Sequence, residues 1–168
     1  MEKNMTREMK AYFSTLENYL GTKLYFYGSI HRVDYFQNCS DVDIDIFTPT
    51  PQSILIKLKH FFQSSDNKEK NIICILQDKI VKGIKFSTSG TKYRCEFSIY
   101  PEWSKENVLT EHLKKTNLPF IGICCLVVIK VLFYWIKILD IETYKTLKRL
   151  SLSYVVGYKE IPFIAYSF

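Results

Sequence analysis

Tyr27-Gly28-Ser29, followed by Ser40-Asp41-Val42-Asp43-Ile44-Asp45-Ile46, decides the fold of this chain. The apolar run Leu24-Tyr25-Phe26-Tyr27 ends in a glycine-serine turn, and a second run opens in which acidic and β-branched residues alternate. A period of two sends Val42, Ile44 and Ile46 to one face of a strand and Asp41, Asp43 and Asp45 to the other. Three carboxylates on one side of a short strand repel one another unless cations neutralise them. Hard oxygen ligands in that arrangement suit magnesium. An acidic strand face beside a Gly-Ser turn reads as a metal-and-phosphate site.

Spacing decides which acids can work together. Alternate strand residues lie ~6.7 Å apart, so Asp41 and Asp45 are separated by ~13 Å, whereas paired catalytic metals sit ~3.5–4 Å apart. The working couple is therefore Asp41/Asp43 or Asp43/Asp45. Asp41/Asp43 is favoured because it stands nearest the Gly-Ser turn, which leaves Asp45 to pair with a basic neighbour or face water. A third carboxylate is expected from Tyr93-Arg94-Cys95-Glu96-Phe97-Ser98-Ile99, where Glu96 shares a face with Arg94 and Ser98. Beside the acidic strand Glu96 serves as a metal ligand or as a base; otherwise it is a solvated hairpin glutamate paired with Arg94. Gly28, lacking a Cβ, lets the backbone approach a phosphate. Ser29 adds a hydroxyl and an N–H, with His31 and Arg32 within reach of the same anion.

Flanking segments predict an α+β architecture. Apolar residues at helical spacing mark a helix over 5–20, stopped by Gly21. Strands are expected at 23–27 and 42–47, a helix from Pro51 to about 63, a surface loop over 64–71, and strands at 72–77, 79–87 and 92–100. Ser89-Gly90 supplies a hairpin turn between the last two. From residue 104 the pattern is helical, near 104–115, 120–139 and 141–153. A mixed sheet of about four to five strands with helices on one side, then a helical C-terminal part, follows from that order. The core spans 1–103 and the helical part 104–168.

Composition sets broad limits. The 168 residues suffice for a full core. A formal charge of +6 is compatible with nucleotide or nucleic acid as partner. Five cysteines match no zinc spacing, four of them lie in apolar runs, and buried reduced thiols in a soluble intracellular protein, cytoplasmic or nuclear, are expected. The segment 121–139 is interrupted by Lys130 and Lys137, and its unbroken apolar core is far shorter than the ~20 residues of a membrane span. It predicts a buried helix with a basic edge and no membrane partner. Lys130, Lys137, Lys145 and Lys148 are a solvated face or, less simply, a surface for a phosphate backbone.

Gly28-Ser29 together with Asp41-Val42-Asp43 between apolar residues resembles the signature of the nucleotidyltransferase superfamily, with the fold of DNA polymerase beta, in a minimal single-domain form. Cys95-Glu96-Phe97-Ser98 is similar to the strand that carries the family's third acid, with Glu96 where Asp is usual and Asp45 where the family is usually apolar or small. The resemblance spans roughly residues 23–100. It implies that Gly28 and Ser29 hold a nucleoside triphosphate. It implies that Asp41, Asp43 and Glu96 hold two Mg2+ (or Mn2+) ions, and that a nucleoside monophosphate passes to a hydroxyl with release of pyrophosphate. The acceptor is a nucleic-acid 3′ end, a protein hydroxyl or a small molecule. The rival reading keeps the fold as a catalytically inactive binding, scaffolding or assembly module.

Overall fold

The computed structural model describes residues 4–63, 67–76, 79–88, 91–157 and 163–166, with backbone alone at 156 and 163–166. Helix α1 (Arg7–Leu20) starts where the Thr6 hydroxyl accepts the Met9 N–H and stops at Gly21, whose φ of 70° ends the helix. Its Met9, Phe13, Leu16 and Leu20 fall on one buried stripe. Strand β1 (Tyr25–Tyr27) runs into a 3-10 turn (Gly28–His31), and β2 (Val42–Thr48) carries the alternating acids. Helix α2 (Pro51–Phe62) begins on its proline, whose missing N–H would be unsatisfied there in any case. Then come β3 (Lys68–Leu76), β4 (Lys79–Ser87) and β5 (Cys95–Pro101), a 3-10 turn (Glu102–Ser104), and α3 (Lys105–Thr116). Helix α4 (Phe120–Val131) continues as one π turn (Leu132–Ile136) before α5 (Ile141–Val156) and β6 (Phe163–Tyr166).

The α+β class is as expected, and the strands form one mixed sheet in the order β1-β2-β5-β4-β3-β6. Among the described residues only β2 and β5 pair in parallel. One face buries Val42, Ile44, Ile46, Phe86, Phe97 and Ile99 beneath α1 and α2. On the other face Phe47, Cys74, Val81 and Tyr100 pack against Val108 of α3. Thus β2 is apolar on its inner face from Val42 to Ile46, whereas its outer face changes from acid to phenylalanine at Phe47. Helix α3 takes over from the acidic cleft before that change, at Asp45.

Several boundaries move. Strand β6 adds a sixth strand. Strand β3 begins at Lys68, inside the expected loop, because this polar end of the β3–β4 hairpin keeps its ladder to Ser87 while exposing Lys68, Glu69 and Lys70. The expected Ser89-Gly90 turn and residues 64–66 lie outside the described residues. The larger correction concerns 120–139. The α-helix ends at Val131 and its edge is not the expected one: Lys130 is 2 % exposed, whereas Phe120 is 80 % and Trp135 72 % exposed, although Leu126 is buried and Lys137 exposed as expected. Periodicity placed the charge outside by default. Asp34, 96 residues earlier, draws it in: Lys130 Nζ donates to the Asp34 carbonyl at 2.6 Å and to Asp34 Oδ2 at 2.9 Å. Cys74 and Cys95 are buried as expected, but Cys124 and Cys125 lie on the outer side of α4. Among the described residues no single helix is long and apolar enough to cross a membrane, although Glu102–Thr116 and Phe120–Ile136, bent by 76°, reach that length and composition together.

Candidate active site

The parallel ladder sets Asp43 of β2 directly opposite Glu96 of β5, so both side chains leave the same sheet face. On the other side Tyr27 pairs with Asp43, which brings the Gly28 turn onto the acid. Gly28 sits at φ +75°, and a Cβ there would stand 2.7 Å from Asp43 Oδ2. Glycine is required twice over, by backbone conformation and by space. The Gly28 N–H donates to Thr116 Oγ1 at 3.2 Å, so the end of α3 holds the turn in place. A cavity of about 470 Å³ opens over this edge. Ser29, Asp41, Asp43 and Glu96 form its acidic wall, and Lys130, Lys145, Lys148 and Arg149 a basic one.

Electrostatics follow from crowding. Burial, and then the charge of Glu96, push the Asp43 carboxyl up to about 7. Burial also raises Asp41, against the pull of Arg94. Asp41 Oδ1 lies 3.0 Å from Arg94 Nε, and Glu96 Oε1 2.5 Å from Lys85 Nζ. Glu96 is therefore on the expected face, with Lys85 rather than Arg94 as its partner. The donor chemistry fits a hard divalent cation: three carboxylates line one cavity, the central one reluctant to ionise without a cation. In arrangement, no three acids, histidines or cysteines among the described residues stand together closely enough to form a ready-made ligand set.

Asp45 is fully buried and bonded, 2.5 Å from its Oδ2 to His112 Nδ1 of α3. Burial pushes the carboxyl up and the imidazole down, so the pair favours its neutral form. The Tyr27 ring stacks on His112 at 3.8 Å. Asp45 joins the strand to α3, and Asp41 and Asp43 line the cavity without it.

Arg32 is a correction. Its guanidinium is bidentate to Asp34 (2.7 and 3.0 Å) and also donates to the Lys115 carbonyl at the end of α3. It is 8 % exposed and does not line the cavity, so it is withdrawn as a phosphate ligand. Although burial opposes it, hydrogen bonding from Arg32 holds the Asp34 carboxyl below the usual carboxylate range. Lys130, Lys145 and Lys148 line the cavity, Lys145 still exposed beside Glu142; Lys137 does not line it. Sequence reading missed Lys115, whose ammonium lines the same cavity and is lowered by burial against the attraction of Asp43 and Asp45. It also missed Arg149. Neither carries a motif, and only the docking of α3 onto the sheet and of α5 onto α3 and α4 brings them in.

No family model matches the sequence, and no curated protein does. Among solved structures the chain is similar to one described as the structure of a GLD-2/RNP-8 complex. The identity is 16 %, the TM-score 0.37, and the match covers 89 % of this chain and 60 % of that one. The chain thus spans less than two thirds of the length of that neighbour.

Proposed function

We propose that this chain is a metal-dependent nucleotidyltransferase that passes a nucleoside monophosphate from a nucleoside triphosphate to a hydroxyl. One observation carries the reading: Asp43 and Glu96 face each other across a parallel ladder, with Gly28 at positive φ against Asp43 and a basic wall across the cavity. Asp41, Asp43 and Glu96 would hold Mg2+ or Mn2+, which when bound supplies charge neutralisation at the attacking and leaving oxygens. Ser29 offers its N–H and hydroxyl to a phosphate, and Gly28, whose own N–H is held by Thr116, lets the backbone come close. Lys145, Lys148 and Arg149 balance the charge of the triphosphate, while Lys130 stays with Asp34. In the reaction the acceptor oxygen bonds to the α-phosphorus and the bond to the bridging oxygen breaks. Pyrophosphate leaves, and the hydroxyl proton passes to a carboxylate of the acidic wall. The fold itself asks for little covalent chemistry, only position and charge.

A labelled-nucleotide transfer assay across RNA, DNA and protein acceptors tests the reading. Asp41→Ala and Asp43→Ala are each expected to abolish transfer and metal-dependent nucleotide binding, whereas Asp45→Asn retains both at a reduced level because its side chain faces His112. Equal loss from all three moves the site along the strand. Nucleotide binding that ignores the cation favours the inactive binding module.

A further inference from the structure

The acidic face carries its own cations. Arg94 immediately precedes β5, and its carbonyl accepts the Val42 N–H at 2.8 Å, which holds it level with the start of β2 and Asp41. Lys85 of β4 lies opposite Ser98, one pleat step from Glu96 on the same face. Each outer acid thus meets a cation from the sheet itself: Asp41 with Arg94 at 3.0 Å, Glu96 with Lys85 at 2.5 Å. These pairs differ in kind from the Arg32–Asp34–Lys130 cluster, whose members are almost wholly buried. The Lys85 and Glu96 side chains are 30 % and 29 % exposed, those of Arg94 and Asp41 55 % and 44 %. Ion pairs this open are worth only ~0.2–1 kcal/mol and separate readily.

Resting on the reading above, we propose that Arg94 and Lys85 are resident counter-ions of the acidic site, which weaken divalent-cation binding until a triphosphate draws them away. A cation entering among Asp41, Asp43 and Glu96 meets two positive groups already on the outer ligands. A polyphosphate offers Arg94 a bidentate partner and Lys85 a point charge of the opposite sign, and so frees both carboxylates. Arg94 and Glu96 line the same cavity as Lys145, Lys148 and Arg149, whose charges attract an anion, and Lys85 is reached through Glu96. Cation and triphosphate then favour each other reciprocally, as linkage demands.

The test uses the full chain and two probes kept apart: Mn2+ alone, followed by paramagnetic resonance of the free ion, and inorganic triphosphate alone, by calorimetry in chelator. The double variant K85Q/R94Q is expected to bind Mn2+ about fivefold tighter than the unaltered chain, the effect of removing like charges near exposed ligands. It should bind triphosphate several-fold more weakly. The charge-keeping variant K85R/R94K should hold Mn2+ affinity near its original value, which a structural role alone would not require, and lose only the bidentate share of triphosphate binding. Mn2+ binding to K85Q/R94Q no tighter than to the unaltered chain overturns the counter-ion proposal while leaving the metal site standing. If no form binds Mn2+, although all melt cooperatively, the metal-site reading falls and this proposal falls with it.

Discussion

At the residue scale, Asp43 concentrates the tension of the site. Its carboxyl is pushed up to about 7 by burial and by Glu96, whereas an unfolded aspartate titrates near ~3.9. Between about pH 4 and pH 7 the native chain keeps a proton that the unfolded chain has released. Stability without metal therefore falls as pH rises through that window, and the loss is complete above it. Asp43→Asn removes the titration. Urea denaturation in chelator should give equal stabilities for the two forms near pH 4 and an advantage of about 2 kcal/mol to the variant at pH 8, a figure discounted for partial solvation. Parallel pH profiles would show that Asp43 ionises freely.

At the element scale, the C-terminal helices pack through a point of close approach. A Cβ added to Gly122 of α4 would lie 2.6 Å from Val155 Cγ1 of α5. Gly122 is helical without positive φ, so its role is space alone, and its exposed neighbours Phe120 and Ile121 take no part in the contact. Gly122→Leu is expected to lower stability by about 1–3 kcal/mol through overpacking, read as a drop in melting temperature. Ile121→Ser, on the exposed side of the same helix, should change stability by less than about 0.5 kcal/mol. Equal losses at both positions would mean that α4 is covered on both sides. Helix α5 is the element that brings Lys145, Lys148 and Arg149 to the cavity, so Gly122→Leu should also weaken triphosphate binding.

At the scale of the whole molecule, two buried polar links join the helical part to the sheet. One is Asp45–His112, between β2 and α3. The other runs from Arg32 through Asp34 to Lys130, with Lys130 Nζ also 3.4 Å from Ser40 Oγ, one residue before Asp41. Replacing Lys130 by Ala leaves Asp34 with Arg32 alone, at an expected cost of about 3 kcal/mol, the lower end for a broken buried pair. Thermal unfolding of K130A measures it. A Lys130→Met variant that matches the unaltered chain would show that α4 docks by its apolar stem rather than by its charge.

The sequence by itself determined what is local. Alternation of period two gave β2 an acidic and an apolar face, and the parallel pairing with β5 only had to bring a second alternating strand alongside for Asp43 to meet Glu96. Gly28 was legible for the same reason, since a turn demands its residue in place. What tertiary structure alone decided lies across long stretches of chain: Asp45 to His112 over 67 residues, Arg32 to Lys115 over 83, Asp34 to Lys130 over 96. A basic side chain in sequence carries no mark of its partner, so Arg32 read as a phosphate ligand and Lys130 as a solvated edge. Whether such a charge meets solvent, ligand or a buried acid depends on which surfaces the helices cover, because the cost of burying an ion is offset only where an opposite charge already waits.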